Sequence, residues 1–250
     1  MIHEDREKAS SFGDDPEQYD RARPSYPAAL VDDLVEPGVH RVVDAGCGTG
    51  IASLLFAARG CEVIGVEADL RMAEVARSHG LTVEVSAFED WDPPGEPFDL
   101  VTAAQAWHWI HPRRGASKAA AVLRPGGRFA AFWNSYDYDV ALVDAIGAVY
   151  REHAPHLEWD VSGPGAEEFG LAGVTETGAF SPVEVRTYEW AQVYGRDAWL
   201  DQLSTRSSHR TMDPAERTRL LAGLATAIDG LGGEVTIDHT TRLCTAVRLG

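Results

Sequence analysis

The residues with the clearest chemical potential are a cluster of glycines that follows an apolar segment. Val43-Asp44-Ala45 leads into Gly46-Cys47-Gly48-Thr49-Gly50, and apolar residues at helical spacing follow from Ile51. Glycine gives a tight turn its dihedral freedom and lets a ligand approach the backbone closely. A helix that begins at such a turn presents free backbone N–H groups. The pattern therefore predicts a binding loop between a strand and a helix.

A second candidate is Glu67, which ends the next apolar segment roughly 20 residues after Gly46. An acid at this spacing hydrogen-bonds the hydroxyls of a ribose in nucleotide-binding α/β folds. Together the two features predict that an adenosine-containing ligand lies across the carboxyl ends of the first two strands.

The details of the loop favour a cationic ligand over a dinucleotide. The dinucleotide pattern G-x-G-x-x-G would place its third glycine at position 51, where this sequence has Ile51. The loop also contains an acid, Asp44, which is a poor neighbour for a pyrophosphate. S-adenosylmethionine carries an ammonium and a sulfonium, which an acid attracts. An NAD-linked oxidoreductase on a related doubly wound sheet stays open as the alternative.

Strands that alternate with helices must position these residues. Strands are predicted at Arg41–Ala45, Cys61–Val66, Leu81–Ser86, Phe98–Ala103 and Arg128–Trp133. Helices are predicted at Ile51–Arg59, Leu70–Ser78 and Ala116–Leu123. The alternation is typical of βαβ units and of a parallel sheet with helices on both faces.

The regular alternation of strands and helices ends after about residue 136. A longer helix, Val140–Glu152, is followed by a Pro-, Gly- and Glu-rich loop over 154–173. Two late strands, Val183–Trp190 and Glu234–Leu249, complete a seven-stranded, mostly parallel, Rossmann-like α/β sheet with a helical lid. We expect one domain over 1–250. Its parts are lid helices at 1–36, a cofactor-binding core at 37–135, a helical acceptor cap with one late strand at 136–232, and a C-terminal strand at 233–250.

Composition narrows the possible partners. The chain has 250 residues, with 39 acids against 22 Lys and Arg, for a net charge of −17. Such a surface repels phosphate backbones, so we expect no nucleic-acid partner. No apolar run is long enough to cross a membrane. The 3 cysteines form no CxxC pair and no histidine pair has metal-ligand spacing, so we assign no metal and expect a cytoplasmic protein.

The motifs resemble those of the class I S-adenosylmethionine-dependent methyltransferases. Within that family they resemble the small-molecule branch with the trans-aconitate and ubiquinone/menaquinone methyltransferases. The resemblance covers most of the chain, and the motifs that carry it are Tyr19–Pro27, Val43–Gly50, Gly65–Met72, Phe98–Trp109 and Leu123–Gly127. The resemblance implies methyl transfer from S-adenosylmethionine to a small-molecule acceptor, with oxygen slightly favoured over nitrogen or carbon.

The resemblance also implies a role for each matching position. Gly46, Gly48 and Gly50 would face the methionine portion of the cofactor, Asp44 its ammonium, and Glu67 the ribose. Ala68 and Met72 would flank the adenine, with Ala87, Phe88 and Glu89 on its other side. Ala104 and Gln105 would lie beside the sulfonium, and Tyr19 and Arg23 would close over the cofactor. Ala68 departs from the proline or acid often found there, which costs little because that contact is mostly made by the backbone.

A sulfonium is already activated, so catalysis needs mainly alignment, exclusion of water and, for some acceptors, a base. The candidate base is His108, which follows the fourth strand at the ligand-binding edge. A packing role for His108 is slightly favoured over the catalytic one, because imidazoles often serve as hydrogen-bonded structural groups. A non-catalytic S-adenosylmethionine-binding protein also stays open.

Several side chains outside these motifs could belong to an acceptor pocket. Trp107 and Trp133 follow strands at the ligand edge and are the aromatic residues we expect to line it. His209 and Arg210 could reach an acidic acceptor, although an exposed helix end is the favoured interpretation.

Overall fold

The computed structural model describes residues 11–157 and 171–250. Residues 158–170 of the predicted loop lie outside the described part. The seven strands are β1 (Arg41–Ala45), β2 (Glu62–Glu67), β3 (Thr82–Val85), β4 (Phe98–Ala104), β5 (Leu123–Asp137), β6 (Glu184–Gly195) and β7 (Glu234–Val247). They form one sheet in the order β3-β2-β1-β4-β5-β7-β6, in which β7 runs in the opposite direction to the other six strands. The predicted seven-stranded, mostly parallel α/β fold is confirmed.

The helices of the described residues are α1 (Pro16–Ala22), α2 (Ala28–Leu34), α3 (Ile51–Ala57), α4 (Leu70–Ser78), α5 (Pro112–Val122), α6 (Val140–His153), α7 (Ala172–Glu176), α8 (Arg196–Ser204), α9 (Ser207–Arg210) and α10 (Pro214–Gly230). The short α7 was not predicted. Helix α5 begins at Pro112 rather than at the predicted Ala116. Proline suits the first turn because its missing N–H is not needed there, and the His111 side chain caps the same turn.

Alternating side chains of the strands supply two cores, one on each face of the sheet. On one face, β1 residues Val43 and Ala45 belong to a core that also contains Ala116 and Ala119 of α5. On the other face, Val42 belongs to a core with α2 and α3. Because both faces are covered there, β1, β2 and β4 are buried along nearly their whole length, as expected for the parallel part of a sheet, whereas β6 is largely exposed.

A third core lies away from the central sheet and joins α6, α8 and α10 to the start of β7. It contains Leu142, Ile146, Trp199, Leu220, Leu224 and Val235. We refer to α6, α8, α9 and α10 as the cap, and to α1 with Arg23 as the lid. Strand β5 carries the chain from the sheet towards the cap, because it pairs with β7 as far as Asp137 opposite Asp238.

Candidate active site

The glycine loop lies between β1 and α3, as predicted, and is held against the end of β2. The backbone N–H groups of Gly46 and Cys47 both donate to the carbonyl of Val66, at 2.8 and 3.2 Å. Gly46, Gly48 and Gly50 have φ values of 71°, 57° and 91°, a region that side chains rarely adopt. The loop therefore requires glycine for its conformation alone.

Only one of these glycines borders open space. A Cβ atom at Gly46 would lie 2.7 Å from the Ala106 Cβ, and one at Gly50 would lie 2.4 Å from the Leu81 Cδ1. A Cβ at Gly48 would meet nothing nearer than the Met72 Cε, at 3.5 Å. Gly46 and Gly50 thus allow close packing within the protein, whereas Gly48 borders the space in which a ligand can approach the backbone.

Glu67 lies at the end of β2 and connects the loop to the next turn. Its Oε2 accepts a hydrogen bond from the Gly48 N–H and its Oε1 one from the Asp69 N–H, each at 2.9 Å. Burial raises the pKa of Glu67, and the two backbone donors partly offset that effect. A carboxylate oxygen can accept more than one hydrogen bond, so this geometry leaves capacity for ribose hydroxyls.

Asp44 is fully buried beneath the loop. Its two oxygens accept hydrogen bonds from the Ser53 hydroxyl at 2.6 Å and the Thr102 hydroxyl at 3.0 Å. Burial raises its pKa to about 6, and the two hydroxyl donors oppose that shift. Asp44 is 0% exposed, so neither oxygen is available for direct contact with a ligand. Sequence analysis did not identify Ser53 and Thr102, because hydroxyls at these positions form no recognisable motif.

The predicted adenine-contacting residues differ in their exposure. Ala68 is exposed and Met72 is buried, while Ala87 and Glu89 are half-buried. The Phe88 ring is only 3% exposed and packs against the rings of Trp91 and Trp107 in the core. A contact between Phe88 and an adenine would therefore have to come from its backbone, which corrects the expectation that its side chain closes over the base.

The residues predicted beside the sulfonium lie at the end of β4. Ala104 is the last residue of the strand, and Gln105 follows with a φ of 55°, the only positive value at a non-glycine among the described residues. The Gln105 N–H donates to the Phe132 carbonyl at 2.9 Å, and its amide nitrogen donates to the Asn134 carbonyl at 3.4 Å. Strained backbone of this kind is found preferentially at functional sites.

His108 is held by β5. The Trp133 indole N–H donates to the His108 Nδ1 at 3.1 Å. A neutral imidazole whose Nδ1 accepts a hydrogen bond carries its proton on Nε2. In this state the His108 Nε2 can donate a hydrogen bond but cannot take up a proton, so the contact disfavours the predicted base role.

The two tryptophans expected to line a pocket have different surroundings. Trp107 is fully buried and packs edge-on against Phe129 at 4.6 Å, so the prediction that it lines a pocket is wrong. The Trp133 ring is also buried, but its N–H reaches His108. His209 is only 3% exposed and its Nε2 lies 2.5 Å from the Tyr150 hydroxyl, so the exposed helix end favoured for it is wrong as well.

The lid lies against the cap. The Arg23 guanidinium donates to the Thr205 carbonyl at 2.9 Å and lies 4.8 Å from the centre of the Tyr19 ring. Asp201 accepts hydrogen bonds from the Gln18 amide at 2.6 Å and from Arg21 at 3.1 Å. Arg23 therefore lies over the Tyr19 ring and is joined to the cap, and closure of these two residues over a cofactor stays a prediction.

Among the described residues, no group of three or more His, Cys, Asp or Glu side chains has the geometry of a metal site. Within the same residues, no helix combines the length and apolarity needed to cross a membrane.

Comparison with known proteins identifies the family. A family model described as a methyltransferase domain matches residues 42–127, which include the glycine loop and β1 to β4. An uncharacterized methyltransferase of Mycobacterium tuberculosis is 31% identical over 220 residues, which cover 86% of this chain and 84% of that protein. The chain is a class I S-adenosylmethionine-dependent methyltransferase.

Solved structures agree with this assignment. A candidate type II methyltransferase from Anaeromyxobacter dehalogenans has a TM-score of 0.67 at 28% identity, covering 91% of this methyltransferase and 97% of that chain. Phosphoethanolamine N-methyltransferase 2 of Haemonchus contortus, crystallised with S-adenosylmethionine, shares the fold with a TM-score of 0.55 at 15% identity, over 97% of this chain and 57% of that one.

Membership decides between the alternatives of the sequence analysis. The protein is an enzyme and its cofactor is S-adenosylmethionine, so the NAD-linked oxidoreductase and the non-catalytic binding protein are set aside. The residues fit this cofactor, because Gly48 borders open space, Glu67 retains acceptor capacity and Asp44 places a negative charge beneath the loop.

Proposed function

We propose that this methyltransferase acts on a small-molecule acceptor and that the acceptor atom is an oxygen. The observation that carries the proposal is the contact between lid and cap. Asp201 of α8 accepts from Gln18 and Arg21, and the Thr205 carbonyl accepts from Arg23. A cleft closed in this way suits a small molecule rather than a polymer, and the net charge of −17 further disfavours nucleic acid.

The proposed cofactor site combines the residues of the loop with those of the lid. The methionine part of the cofactor is held by the side chains or backbone of Gly46, Gly48, Gly50, Asp44, Ala104, Gln105, Tyr19 and Arg23. The adenosine part is held by those of Glu67, Ala68, Met72, Ala87, Phe88 and Glu89. S-adenosylmethionine supplies an activated methyl group on its sulfonium. The contribution of the chain is to bind, to orient the acceptor and to exclude water.

His108 is proposed to orient the acceptor through its Nε2–H. The indole of Trp133 keeps the proton on that nitrogen, close to the point where the pairing of β4 with β5 ends. An oxygen that is already ionised, such as a carboxylate, needs no base. An imidazole that donates rather than accepts is therefore compatible with an oxygen acceptor.

The first experiment is a calorimetric titration with S-adenosylhomocysteine, with NAD in parallel. We expect micromolar binding of S-adenosylhomocysteine and none of NAD. Transfer of labelled methyl from S-adenosylmethionine is then measured with small alcohols, phenols, carboxylic acids and amines, and with a tRNA mixture and a protein extract as polymer controls. Labelling of the polymers in preference to every small molecule would overturn the proposal.

A further inference from the structure

A series of side-chain hydrogen bonds crosses β6, β7 and β5 on the face of the sheet that α2 covers. The Trp190 indole N–H of β6 donates to the Thr241 hydroxyl of β7 at 2.9 Å. The Thr241 hydroxyl donates to the Asn134 Oδ1 of β5 at 2.6 Å, and the Asn134 Nδ2 donates to the Ser25 carbonyl at 3.1 Å. Asn134 is 4% exposed and Thr241 is 0% exposed, so the bond between them is shielded from water. We refer to Trp190, Thr241, Asn134 and Ser25 as the Asn134 network.

The direction of each hydrogen bond in the Asn134 network is fixed by the two ends of the network. The Trp190 indole can only donate, and the backbone carbonyl of Ser25 can only accept. Because the Thr241 hydroxyl receives the indole N–H, it uses its own proton to meet Asn134. This contact identifies the oxygen of the Asn134 amide, and the amide nitrogen therefore faces Ser25. The network thus selects one of the two orientations that an amide group can adopt.

The last bond of the Asn134 network reaches the segment that joins the lid to α2. Ser25 lies in this segment, and the ring of the next residue, Tyr26, packs edge-on against Phe132 of β5 with the ring centres 4.8 Å apart. Phe132 and Asn134 are two residues apart on β5, so their side chains lie on the same face of the strand. One face of β5 therefore holds the connection between the lid and the core.

This connection is stiff. Pro24 and Pro27 have a restricted φ, and a proline also disfavours the helical conformation in the residue before it. Arg23 is extended, with φ −73° and ψ 140°. A stiff connection transmits the position of Ser25 to the lid, so the bond from Asn134 restricts where the lid can lie.

Asn134 also contacts the turn that follows β4. Its backbone carbonyl accepts from the Gln105 amide nitrogen at 3.4 Å. Gln105 is the residue with a φ of 55° that is predicted to lie beside the sulfonium. Asn134 therefore meets the lid connection with its side chain and this turn with its backbone.

We propose that Asn134 and Thr241 are positioning residues, which anchor the lid and thereby slow the release of the cofactor. The Asn134 amide holds the lid connection at Ser25, and Thr241 keeps the amide in the orientation that permits this bond. Neither side chain has to touch the cofactor. The inference rests on the proposed place of Tyr19 and Arg23 in the cofactor site, and it adds the residues that keep them there.

The first variant is Thr241→Val, which keeps the branched shape of the side chain and removes its hydroxyl. The Asn134 amide then loses the donor that fixes its orientation. We expect amide hydrogen exchange in α1, measured by mass spectrometry, to become about 2- to 10-fold faster, the range for one neutral hydrogen bond. Release of tritiated S-adenosylmethionine, measured by a chase with unlabelled S-adenosylhomocysteine, should accelerate by a similar factor. Thr241→Ser restores the hydroxyl and should restore both rates.

Asn134→Asp tests the bond to the lid connection. The variant keeps an oxygen for the Thr241 hydroxyl but presents a second oxygen, instead of an N–H group, to the Ser25 carbonyl. Both rates should rise about 10- to 100-fold, the range for a buried polar group left without its partner. Ser135→Ala is the matched control, because the Ser135 hydroxyl donates to the Thr240 carbonyl at 3.1 Å and joins the same two strands on the other face. It should leave both rates unchanged.

Exchange in β1 and α10 separates anchoring of the lid from a general loss of stability. The anchor role is overturned if Thr241→Val leaves exchange in α1 unchanged, if it accelerates exchange equally in α1, β1 and α10, or if Thr241→Ser behaves as Thr241→Val does. Faster exchange in α1 with unchanged release of the cofactor would overturn the effect on release. That result would also remove Tyr19 and Arg23 from the proposed cofactor site, so the two failures are distinguishable.

Discussion

Two regions of the protein bury opposite kinds of titratable group. The glycine-loop region, made of β1, the glycine loop and β2, buries carboxyl groups. The pKa of Asp44 is raised to about 6 and that of Glu67 is also raised. The cap and the adjoining part of β7 bury imidazoles instead. The pKa values of His209 and His239 are both lowered to about 4 by burial.

The same physical cause therefore gives opposite responses to acid. A buried carboxyl whose pKa is raised stabilises the fold when protonated, and this contribution is lost as the pH rises through about 6. A buried imidazole with a lowered pKa is neutral in the fold. Its contribution is present above the ordinary value of 6.5 and is lost as the pH falls from there towards 4. Mild acid should loosen the cap while the glycine-loop region holds.

The two regions also differ in how their residues meet. In the glycine loop, neighbours in sequence adopt positive φ values, and a Cβ at Gly46 or Gly50 would lie within 2.7 Å of a neighbouring side chain. In the cap, side chains from distant segments meet, as in the hydrogen bond from Arg206 to the Tyr138 hydroxyl. Substitutions in the loop should therefore act on cofactor binding, whereas acid should act on the stability of the cap, and the predictions below test that separation.

The largest effect is expected from Gly48→Val, which should abolish binding of S-adenosylhomocysteine, measured by calorimetry. The added side chain occupies the open space beside the loop and strains a φ of 57°. Gly60→Val is the matched control, because Gly60 has a φ of 83° with nothing near its Cβ position and lies outside the cleft. Both variants should lose about 1–3 kcal/mol of stability from backbone strain. Normal binding by Gly48→Val would remove the loop from the cofactor site.

Glu67→Ala should weaken the binding of S-adenosylhomocysteine, measured by calorimetry, by about 1.5–3 kcal/mol, the range for lost hydrogen bonds to a charged group. Part of this loss arises because the Gly48 N–H also loses its acceptor. Glu67→Gln retains a carbonyl oxygen and should lose less. Unchanged cofactor affinity in Glu67→Ala would contradict the ribose assignment.

Acidification from pH 8 to pH 5 should reduce the free energy of opening of the cap by about 2 kcal/mol through His209 alone. The cause is that the pKa of His209 is about 4 in the folded protein and 6.5 when the imidazole is exposed. Amide hydrogen exchange, corrected for the intrinsic pH effect, measures this in α6 and α10. His209→Gln, which cannot take up a proton, should reduce the difference. If acid increased amide exchange equally in β1 and in α10, the predicted difference between the two regions would be wrong.

The smallest effect is expected from His108→Ala, which should lower turnover by about tenfold, as for one lost hydrogen bond, with cofactor affinity retained. A base would instead contribute on the order of 100-fold, and its removal would abolish one limb of the pH–rate profile. Trp133→Phe releases the His108 Nδ1 and serves as the companion variant. Loss of thermal stability with normal turnover in His108→Ala would indicate that the side chain only packs.

Much of the glycine-loop region follows from local sequence. The predicted bounds of Arg41–Ala45 and Leu70–Ser78 are those of β1 and α4. Short apolar runs, capping residues and glycines act over a few positions, so their periodicity predicts which segments form strands and helices. The spacing from the glycines to Glu67 is set by one βα unit, and it is therefore also visible in the sequence.

The extent of β5 was not predictable in the same way. Sequence patterns placed its end at Trp133, whereas pairing with β7 carries it to Asp137. The residues from Asn134 to Asp137 are polar or aromatic and show no strand pattern of their own. Their conformation depends on the partner strand, which lies about 100 residues further along the chain.

What the sequence alone determined is the family, the order of strands and helices, and the position of the glycine loop between β1 and α3. What only the tertiary structure decided is which side chains meet in the cap and at His108. Tyr138 and Arg206 are 68 residues apart, and His108 and Trp133 are 25 apart. Periodicity specifies which face of each element is buried, but the pairing of distant side chains depends on how those faces pack together.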